Sequence, residues 1–268
     1  MRNVIIIPIH KLKPDKWEYL SLKQCFKILR NHPICIVTHS DINIHHYQHI
    51  ASQYGIELIR ENYNSLFFAN IAGYNRLMLD CSFYKRFSFY EYMLIYQLDA
   101  WVFRDELEYW CNQGYDYIGA PWIKKDETLN SLLFDGVGNG GFSLRRIQHF
   151  IDVLSYKGPI RDGNNLNLEP SIKNKIYRFL YSHGYQNTIS YLKKDETLYE
   201  DIFLSIFLND TKLKAKIPDP ITASKFAFEK EPSYLYSINN RLPFGCHAWR
   251  KYEYDSFWQQ FITSPTIN

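Results

Sequence analysis

The sequence lacks any apolar run that could cross a membrane, since a spanning helix needs about 20 consecutive apolar residues. Its first apolar run, residues 4–9, is six residues long and includes a proline. No small-residue cleavage site follows this run, so we expect no signal peptide and a cytoplasmic protein. A local basic patch that touches the inner face of the membrane stays open as a peripheral contact.

The sequence also lacks a large excess of charge of either sign, and it lacks paired cysteines. The chain has 31 Lys and Arg against 28 Asp and Glu, a net charge of +3. This excess is too small to attract nucleic acid through bulk electrostatics, and we expect no such partner. Five cysteines are present, without a C-x-x-C pair, which predicts reduced thiols and no zinc site. Neither the P-loop nor the dinucleotide fingerprint is found.

The amino-terminal third alternates between two kinds of hydrophobic pattern. Short apolar runs at 4–9, 34–38 and 56–59 predict buried strands, and helical spacing predicts helices at 17–29 and 44–54. This β-α-β-α-β order is typical of the α/β class, with a mainly parallel central sheet flanked by helices. No linker rich in Pro, Gly or Ser divides the chain, so we expect a single domain.

The remainder of the chain has a less regular pattern. Apolar spacing predicts helices at 71–87, 200–208 and 252–261, and a strand at 92–99. Residues 157–175 are rich in Gly, Asn and Pro, and we expect a surface loop or an insertion there.

A carboxylate follows the predicted strand of the segment YQLDAW (96–101). The carboxyl end of a strand is where open α/β sheets bind ligands. Asp99 there could hold a divalent cation that in turn holds a diphosphate, or could cap the following turn. Gln97 shares its face and could bond a ribose or a base. We expect a ligand to bind near the strand ends at Pro8, Thr38 and Asp99.

A glycine-rich segment, GVGNGGFSLRR (136–146), carries four glycines in its first six positions. Glycine permits left-handed backbone and close approach of a ligand to the main chain. We therefore expect Asn139, Gly140 and Gly141 to line a sugar or phosphate pocket. A tight hairpin turn is the alternative.

Two further positions carry titratable side chains. Glu200 and Asp201 open the helix predicted at 200–208, where acidic residues complement the helix dipole or serve as a general base or a positioning carboxylate. His247 lies in the loop FGCHAW (244–249), as a metal ligand or a phosphate contact.

Four of these motifs together resemble GT-A glycosyltransferases, and more closely a bacterial domain family of largely uncharacterised, glycosyltransferase-like proteins. The motifs are YQLDAWVF (96–103), DYIGAPW (116–122), GNGGFSLR (138–145) and Glu-Asp (200–201). The resemblance spans roughly residues 3–250. It implies a GT-A-like fold with a nucleotide-sugar-binding half, about 1–122, and an acceptor-binding half, about 123–268.

The resemblance also implies a metal site. Asp99 matches the second acidic residue of the family's Asp-x-Asp motif, whose first position holds Gln97 here. His247 matches a late histidine that ligates the metal in many such enzymes. The implied cofactor is Mn²⁺ or Mg²⁺, although Gln97 departs from the usual two-carboxylate pattern.

The function implied is that of a hexosyl or related transferase in polysaccharide biosynthesis. A sugar would pass from a UDP-sugar to a hydroxyl of a cell-surface glycan or glycolipid precursor. Asp201, beside Glu200, would act as the base of an inverting reaction, and Arg76 or Arg145 would assist the leaving diphosphate. Two alternatives stay open. One is a metal-dependent hydrolase or phosphotransferase that uses the same carboxylates, and the other is a noncatalytic nucleotide- or glycan-binding protein.

Overall fold

The computed structural model describes residues 2–128, 130–195 and 199–262. Its strands are β1 (Asn3–Pro8), β2 (Ile34–His39), β3 (Ile59–Tyr63), β4 (Tyr92–Tyr96), β5 (Trp101–Val102), β6 (Tyr117–Ile118), β7 (Pro121–Asp126), β8 (Ser131–Val137), β9 (Phe142–Arg146), β10 (Ala227–Phe228) and β11 (Gly245–Cys246). Its helices are α1 (Lys16–Leu29), α2 (His45–Ser52), α3 (Ile71–Met78), α4 (Cys81–Arg86), α5 (Leu107–Asn112), α6 (Ile147–Ser155), α7 (Ile172–Ser182), α8 (Ile189–Leu192), α9 (Glu200–Ile202), α10 (Pro220–Phe226) and α11 (Pro232–Asn239).

The central sheet has the strand order β3-β2-β1-β4-β9-β6. Strands β3, β2, β1 and β4 are parallel, and β9 is antiparallel to both β4 and β6. The predicted class, α/β with a mainly parallel sheet between helices, is therefore confirmed. Because β9 runs the opposite way, its amino end meets the carboxyl ends of β1 and β4.

Both faces of this sheet are covered, which explains why β1 is an almost continuous apolar run. Successive side chains of a strand point to opposite faces. Ile5 and Ile7 pack with α1 and α2 in one cluster, and Val4 and Ile6 pack with α3, α4 and α6 in another. Near the carboxyl end of the chain, a smaller sheet of order β10-β11-β5 packs on a third cluster that contains Trp249 and Trp258.

The helices predicted at 71–87 and 252–261 differ from the structure. The helix predicted at 71–87 is divided into α3 and α4, because the side chain of Asp80 caps α4 and accepts from the Ser82 backbone N–H. The helix predicted at 252–261 is wrong: this segment forms turns and a short 3-10 helix, Trp258–Gln260. Its buried apolar residues serve the third cluster without a continuous helical stripe.

Several elements were not anticipated. Strands β7 and β8 form a hairpin, and α7 occupies the end of the segment expected to be a loop and the residues after it. The helix predicted at 200–208 begins as α9 but continues as a π-helical segment, Phe203–Phe207.

All five cysteines are free thiols, as expected. Among the residues described, no helix has the length and apolar character to pass through a membrane.

Candidate functional site

A cavity of about 870 Å³ opens at the carboxyl ends of β1 and β4. Pro8 ends β1, and Gln97 and Asp99 directly follow β4. The turn before β9 forms another part of the wall, and the residues that follow β10 and β11 form a third part. This is the edge at which open α/β sheets bind ligands.

His247 has three side-chain oxygen partners in the cavity. Its Nε2 lies 3.1 Å from Asp99 Oδ1 and 3.2 Å from Gln97 Oε1. Its Nδ1 lies 3.4 Å from Glu229 Oε1. The small sheet positions both partners, since His247 follows β11, Glu229 follows β10, and the His247 N–H donates to the Phe228 carbonyl at 3.0 Å.

The two carboxylates determine the ionisation of this histidine. Burial by itself lowers the pKa of His247, but hydrogen bonds and charge from Asp99 and Glu229 outweigh it and raise the pKa to about 10. Burial tends to raise the pKa of Asp99, but its bond to His247 leaves that pKa below the usual value. The pair is therefore an imidazolium and a carboxylate at neutral pH.

The donor set does not fit the predicted divalent metal. Within the described ranges, no group of three or more His, Cys, Asp or Glu side chains is arranged to hold a metal ion. Both ring nitrogens of His247 face carboxylates, so the imidazole would have to lose a proton and change partners before it could bind a metal. Asp99 and His247 are neighbours, as the sequence predicted, but as an ion pair, so we derive no step through Mn²⁺ or Mg²⁺.

Three consecutive residues of the turn before β9, residues 139–141, each approach a different ionisable side chain. The Asn139 backbone N–H donates to Asp201 Oδ2 at 2.9 Å. A Cβ on Gly140 would collide with the Glu200 carboxylate, and one on Gly141 would collide with the His247 ring. Only glycine at these two positions allows the backbone of the turn to lie so close to Glu200 and His247.

Asn139 has a left-handed backbone, with φ of 73°. Asparagine is among the non-glycine residues that tolerate this region. Its own side-chain oxygen accepts from the Gly141 N–H at 3.1 Å, which stabilises the turn. The segment is not a hairpin turn, since β8 pairs with β7 and β9 pairs with β4 and β6. It is a turn between two sheets, and it lines the cavity.

Asp201 is partly buried beside this turn. Burial and the neighbouring Glu200 charge raise its pKa to about 6, although the backbone N–H groups of Asn139 and Ile202 oppose the shift. Burial outweighs any stabilisation by the helix dipole, because α9 is only three residues long. The carboxylate is still mostly ionised at neutral pH. A carboxylate with a pKa near 6 is suited to general-base catalysis.

Glu200 occupies a different environment from Asp201. Its Oε1 accepts from Arg145 Nη2 at 2.7 Å, and both side chains are buried. Arg145 also donates to the Tyr84 hydroxyl at 2.9 Å and to Ser143 Oγ at 3.1 Å. Glu200 is therefore held by an internal cation and positions the start of α9.

The structure places the predicted site residues in two groups. Those that line the cavity are Pro8, Gln97, Asp99, Asn139, Gly140, Gly141, Glu200, Asp201 and His247. Thr38, Arg76 and Arg145 do not line it. The Thr38 hydroxyl is buried and donates to the Ile9 carbonyl at 2.9 Å. Arg76 is exposed on α3, and the guanidinium of Arg145 is committed to Glu200.

Other cavity residues were missed by the sequence reasoning. Three lysines, Lys11, Lys230 and Lys251, add positive charge to the wall. Aromatic rings also line it, namely Phe67, Phe68, Tyr74, Trp122, Tyr199 and Tyr252. Most of them lie on loops or at strand ends, whereas Tyr74 lies in α3, and the high aromatic content of the chain, 17%, was the one available signal.

Comparison with known proteins identifies a family and several distant structures. The family model described as a protein of unknown function (DUF5672) matches residues 57–247. No curated protein matches the chain. Apo glycosyltransferase GlyE of Streptococcus pneumoniae TIGR4 is 13% identical, with a TM-score of 0.47, over 92% of this chain and 54% of its own. This chain thus spans about half the length of GlyE.

Two further solved structures show similar overlap. The Mn/GDP form of core-mannan synthase A (CmsA/Ktr4) of Aspergillus fumigatus is 9% identical, with a TM-score of 0.40, over 75% of this chain and 71% of its own. A glycosyltransferase involved in glycosylation of the major capsid of PBCV-1 is 12% identical, with a TM-score of 0.39, over 92% and 93%. Similarity at this level identifies neither donor nor acceptor.

Proposed function

We propose that this chain, which belongs to the family described as a protein of unknown function (DUF5672), is a GT-A-like glycosyltransferase. It would transfer a sugar from a nucleotide-diphosphate sugar, with UDP as the nucleotide, to a hydroxyl of a glycan or glycolipid precursor. The observation that carries this proposal is the turn at residues 139–141, which contacts Asp201, Glu200 and His247 in order. This turn lies next to both the proposed base, Asp201, and a cationic side chain, His247.

Two lysines of the cavity wall, Lys230 and Lys251, suit a leaving diphosphate. The third, Lys11, pairs with Glu18 at 2.7 Å, and the charge of protonated His247 is balanced by its two carboxylate partners. Preorganised positive groups stabilise the charge that develops on a leaving group in the transition state. In this proposal Lys230 and Lys251 supply part of the charge that the resemblance assigned to a metal.

Asp201 is the proposed base. One of its oxygens accepts the acceptor hydroxyl proton while the hydroxyl oxygen forms a bond to the anomeric carbon of the donor sugar. The bond from that carbon to the diphosphate oxygen breaks, and the nucleoside diphosphate leaves with the electron pair. Attack on the face opposite the leaving group inverts the anomeric configuration, through an oxocarbenium-like transition state.

The division of the chain into halves also stays a proposal. Residues 1–122 would bind mainly the nucleotide, through the edge at Pro8, Gln97 and Asp99, and residues 123–268 the acceptor. The second half also contributes to the nucleotide-binding part of the cavity in this proposal, because its His247 lies 3.1 Å from Asp99.

Ligand-induced stabilisation tests donor binding directly. We expect UDP and UDP-sugars to raise the melting temperature of the full chain in EDTA as well as in Mn²⁺, because a ligand that binds only the native state stabilises it. Asp99→Asn should reduce the shift. Asp105→Asn is the matched control, since Asp105 forms a similar pair with His32 at 3.0 Å, away from the cavity.

The same screen separates the alternatives. Stabilisation by no nucleotide or nucleotide sugar would overturn the proposal. Nucleotide binding without turnover on any acceptor would favour a noncatalytic binding protein. Release of free sugar in the absence of an acceptor would favour a hydrolase, and a shift seen only with Mn²⁺ would restore the metal site.

A further inference from the structure

Helix α7 contributes no side chain to the interior of the protein. None of its eleven residues is buried. Ile172, Ile176 and Phe179 are 79%, 56% and 62% exposed. Scattered exposed apolar residues are ordinary. Three on one short helix, however, form a continuous apolar surface that is exposed to water unless a partner covers it.

The exposed apolar residues of α7 lie on one side of the helix. Successive residues turn by about 100°, so Ile172, Ile176, Phe179 and Leu180 fall within an arc of roughly 100°. We call this set the α7 stripe. Lys173 and Lys175 fall just outside the two borders of that arc, and both are exposed.

The opposite side of α7 is attached to the protein through polar contacts. Arg178 donates to the carbonyls of Leu166 and Leu168, at 3.1 and 2.7 Å. Ser182 Oγ accepts from the Gly163 N–H at 2.8 Å. These contacts hold the helix so that the α7 stripe faces away from the body of the protein.

The charge on α7 itself has one sign. The helix contains Lys173, Lys175 and Arg178, and no Asp or Glu. Acidic residues lie next to it, since Glu169 precedes the helix and Ser182 Oγ donates to Asp162 Oδ1 at 3.3 Å. The two lysines that border the α7 stripe therefore belong to the helix that carries the exposed apolar surface.

We infer that the α7 stripe docks the protein onto an anionic lipid bilayer. A helix with an apolar arc bordered by lysines lies in the plane of a membrane interface, with its apolar side chains in the acyl boundary and its cations at the headgroups. A second copy of this chain is a poorer occupant, because two-fold pairing of the stripes would bring their lysine borders together. This inference is independent of the proposed glycosyl transfer.

Vesicle co-sedimentation of the full chain tests the inference. We expect the protein to sediment with vesicles of mixed phosphatidylcholine and phosphatidylserine, and not with phosphatidylcholine alone. Lys173→Gln with Lys175→Gln should weaken binding by about 25-fold, since each lysine near an anionic surface is worth about fivefold. Ile176→Ser with Phe179→Ser should weaken it by at least about tenfold. Both variants should melt as the wild type does, because α7 buries no side chain.

The matched controls are Lys125→Gln and Ile221→Ser, exposed residues outside α7, which should bind vesicles as the wild type does. Failure of the wild type to sediment with anionic vesicles would overturn the inference. So would equal binding to neutral vesicles, or equal loss in the control variants. A wild-type dimer that becomes monomeric in Ile176→Ser with Phe179→Ser, without vesicle binding, would show that the α7 stripe is a self-interface.

Discussion

The backbone N–H of Asn139 donates a 2.9 Å hydrogen bond to the carboxylate of Asp201. This bond joins the left-handed turn before β9 to the first turn of α9, two segments that are 62 residues apart in the sequence. The proposed base is therefore located by the same turn whose next two residues contact Glu200 and His247.

Replacement of Asp201 tests its role as the base. We expect Asp201→Asn to reduce kcat by about 10²- to 10⁴-fold, the usual contribution of general-base catalysis, with donor binding nearly unchanged. In the wild type, kcat/KM should fall as the pH decreases through about 6, since the raised pKa of Asp201 places its protonation there. Steady-state rates across pH measure both effects. Asp152→Asn, an exposed carboxylate on α6, should leave them unchanged.

The same replacement should stabilise the fold. The pKa of Asp201 rises from 3.8 to about 6 in the native protein, so native Asp201 binds its proton more tightly than unfolded Asp201. Wild-type stability therefore decreases as the pH rises through about 4 to 6, by up to about 3 kcal/mol. Asp201→Asn removes this loss, and its urea midpoint should exceed that of the wild type at pH 8 and not at pH 3.5. A less stable variant at pH 8 would contradict the assignment.

Arg145 and Arg146 are adjacent but should differ greatly in their effect on stability. Arg145→Met leaves Glu200 buried without its cation, and loss of one partner of a buried pair costs about 3–5 kcal/mol. Arg146 is half-exposed, with partners Glu91 and Asp116 at 3.6 and 3.5 Å, so Arg146→Met should cost at most about 1 kcal/mol. Chemical unfolding measures both. Equal free energies of unfolding would show that the Arg145–Glu200 pair is not structurally important.

Two glycine substitutions should separate site geometry from backbone strain. Gly141→Ala places a methyl group against the His247 ring, so we expect loss of nucleotide binding by calorimetry with the fold retained. Gly55→Ala meets no atom within 4 Å but has a φ of 70°. It should therefore cost about 1 kcal/mol of stability and leave binding intact. Unchanged nucleotide binding in Gly141→Ala would place the ligand elsewhere.

The elements with strong periodicity were predictable from the sequence, and those that depend on distant contacts were not. Strands β1 and β2 and helices α1 and α2 agree within two residues with the predicted ranges, because burial on both faces leaves unbroken apolar runs. The division between α3 and α4 depends on a side-chain cap at Asp80. Helix α7 does carry apolar residues at helical spacing, Ile172, Ile176, Phe179 and Leu180, but it begins inside a segment rich in Gly, Asn and Pro, whose composition favoured a loop.

In the candidate site, too, the residues that depend on distant contacts could not be predicted from the sequence. Asp99 was selected because it follows a recognisable strand, Asp201 because it opens a predicted helix and matches the family's base, and His247 because it lies in a glycine-containing loop. The structure brings all three to one cavity. Glu229 was missed because it follows the two-residue strand β10, which has no sequence signature. Its place beside His247 gives the imidazole a second carboxylate partner, and pairwise contacts of this kind cannot be obtained from spacing alone.

Acceptor-dependent turnover of nucleotide sugars by the full chain tests the central proposal most directly. A panel of UDP-sugars would be incubated with and without glycan and glycolipid acceptors, in EDTA, and nucleoside diphosphate and transferred sugar would be measured together. We predict that one donor yields both products in equal amounts only when an acceptor is present, and that Asp201→Asn abolishes the yield. Release of free sugar without acceptor, or equal turnover by Asp201→Asn, would contradict the account.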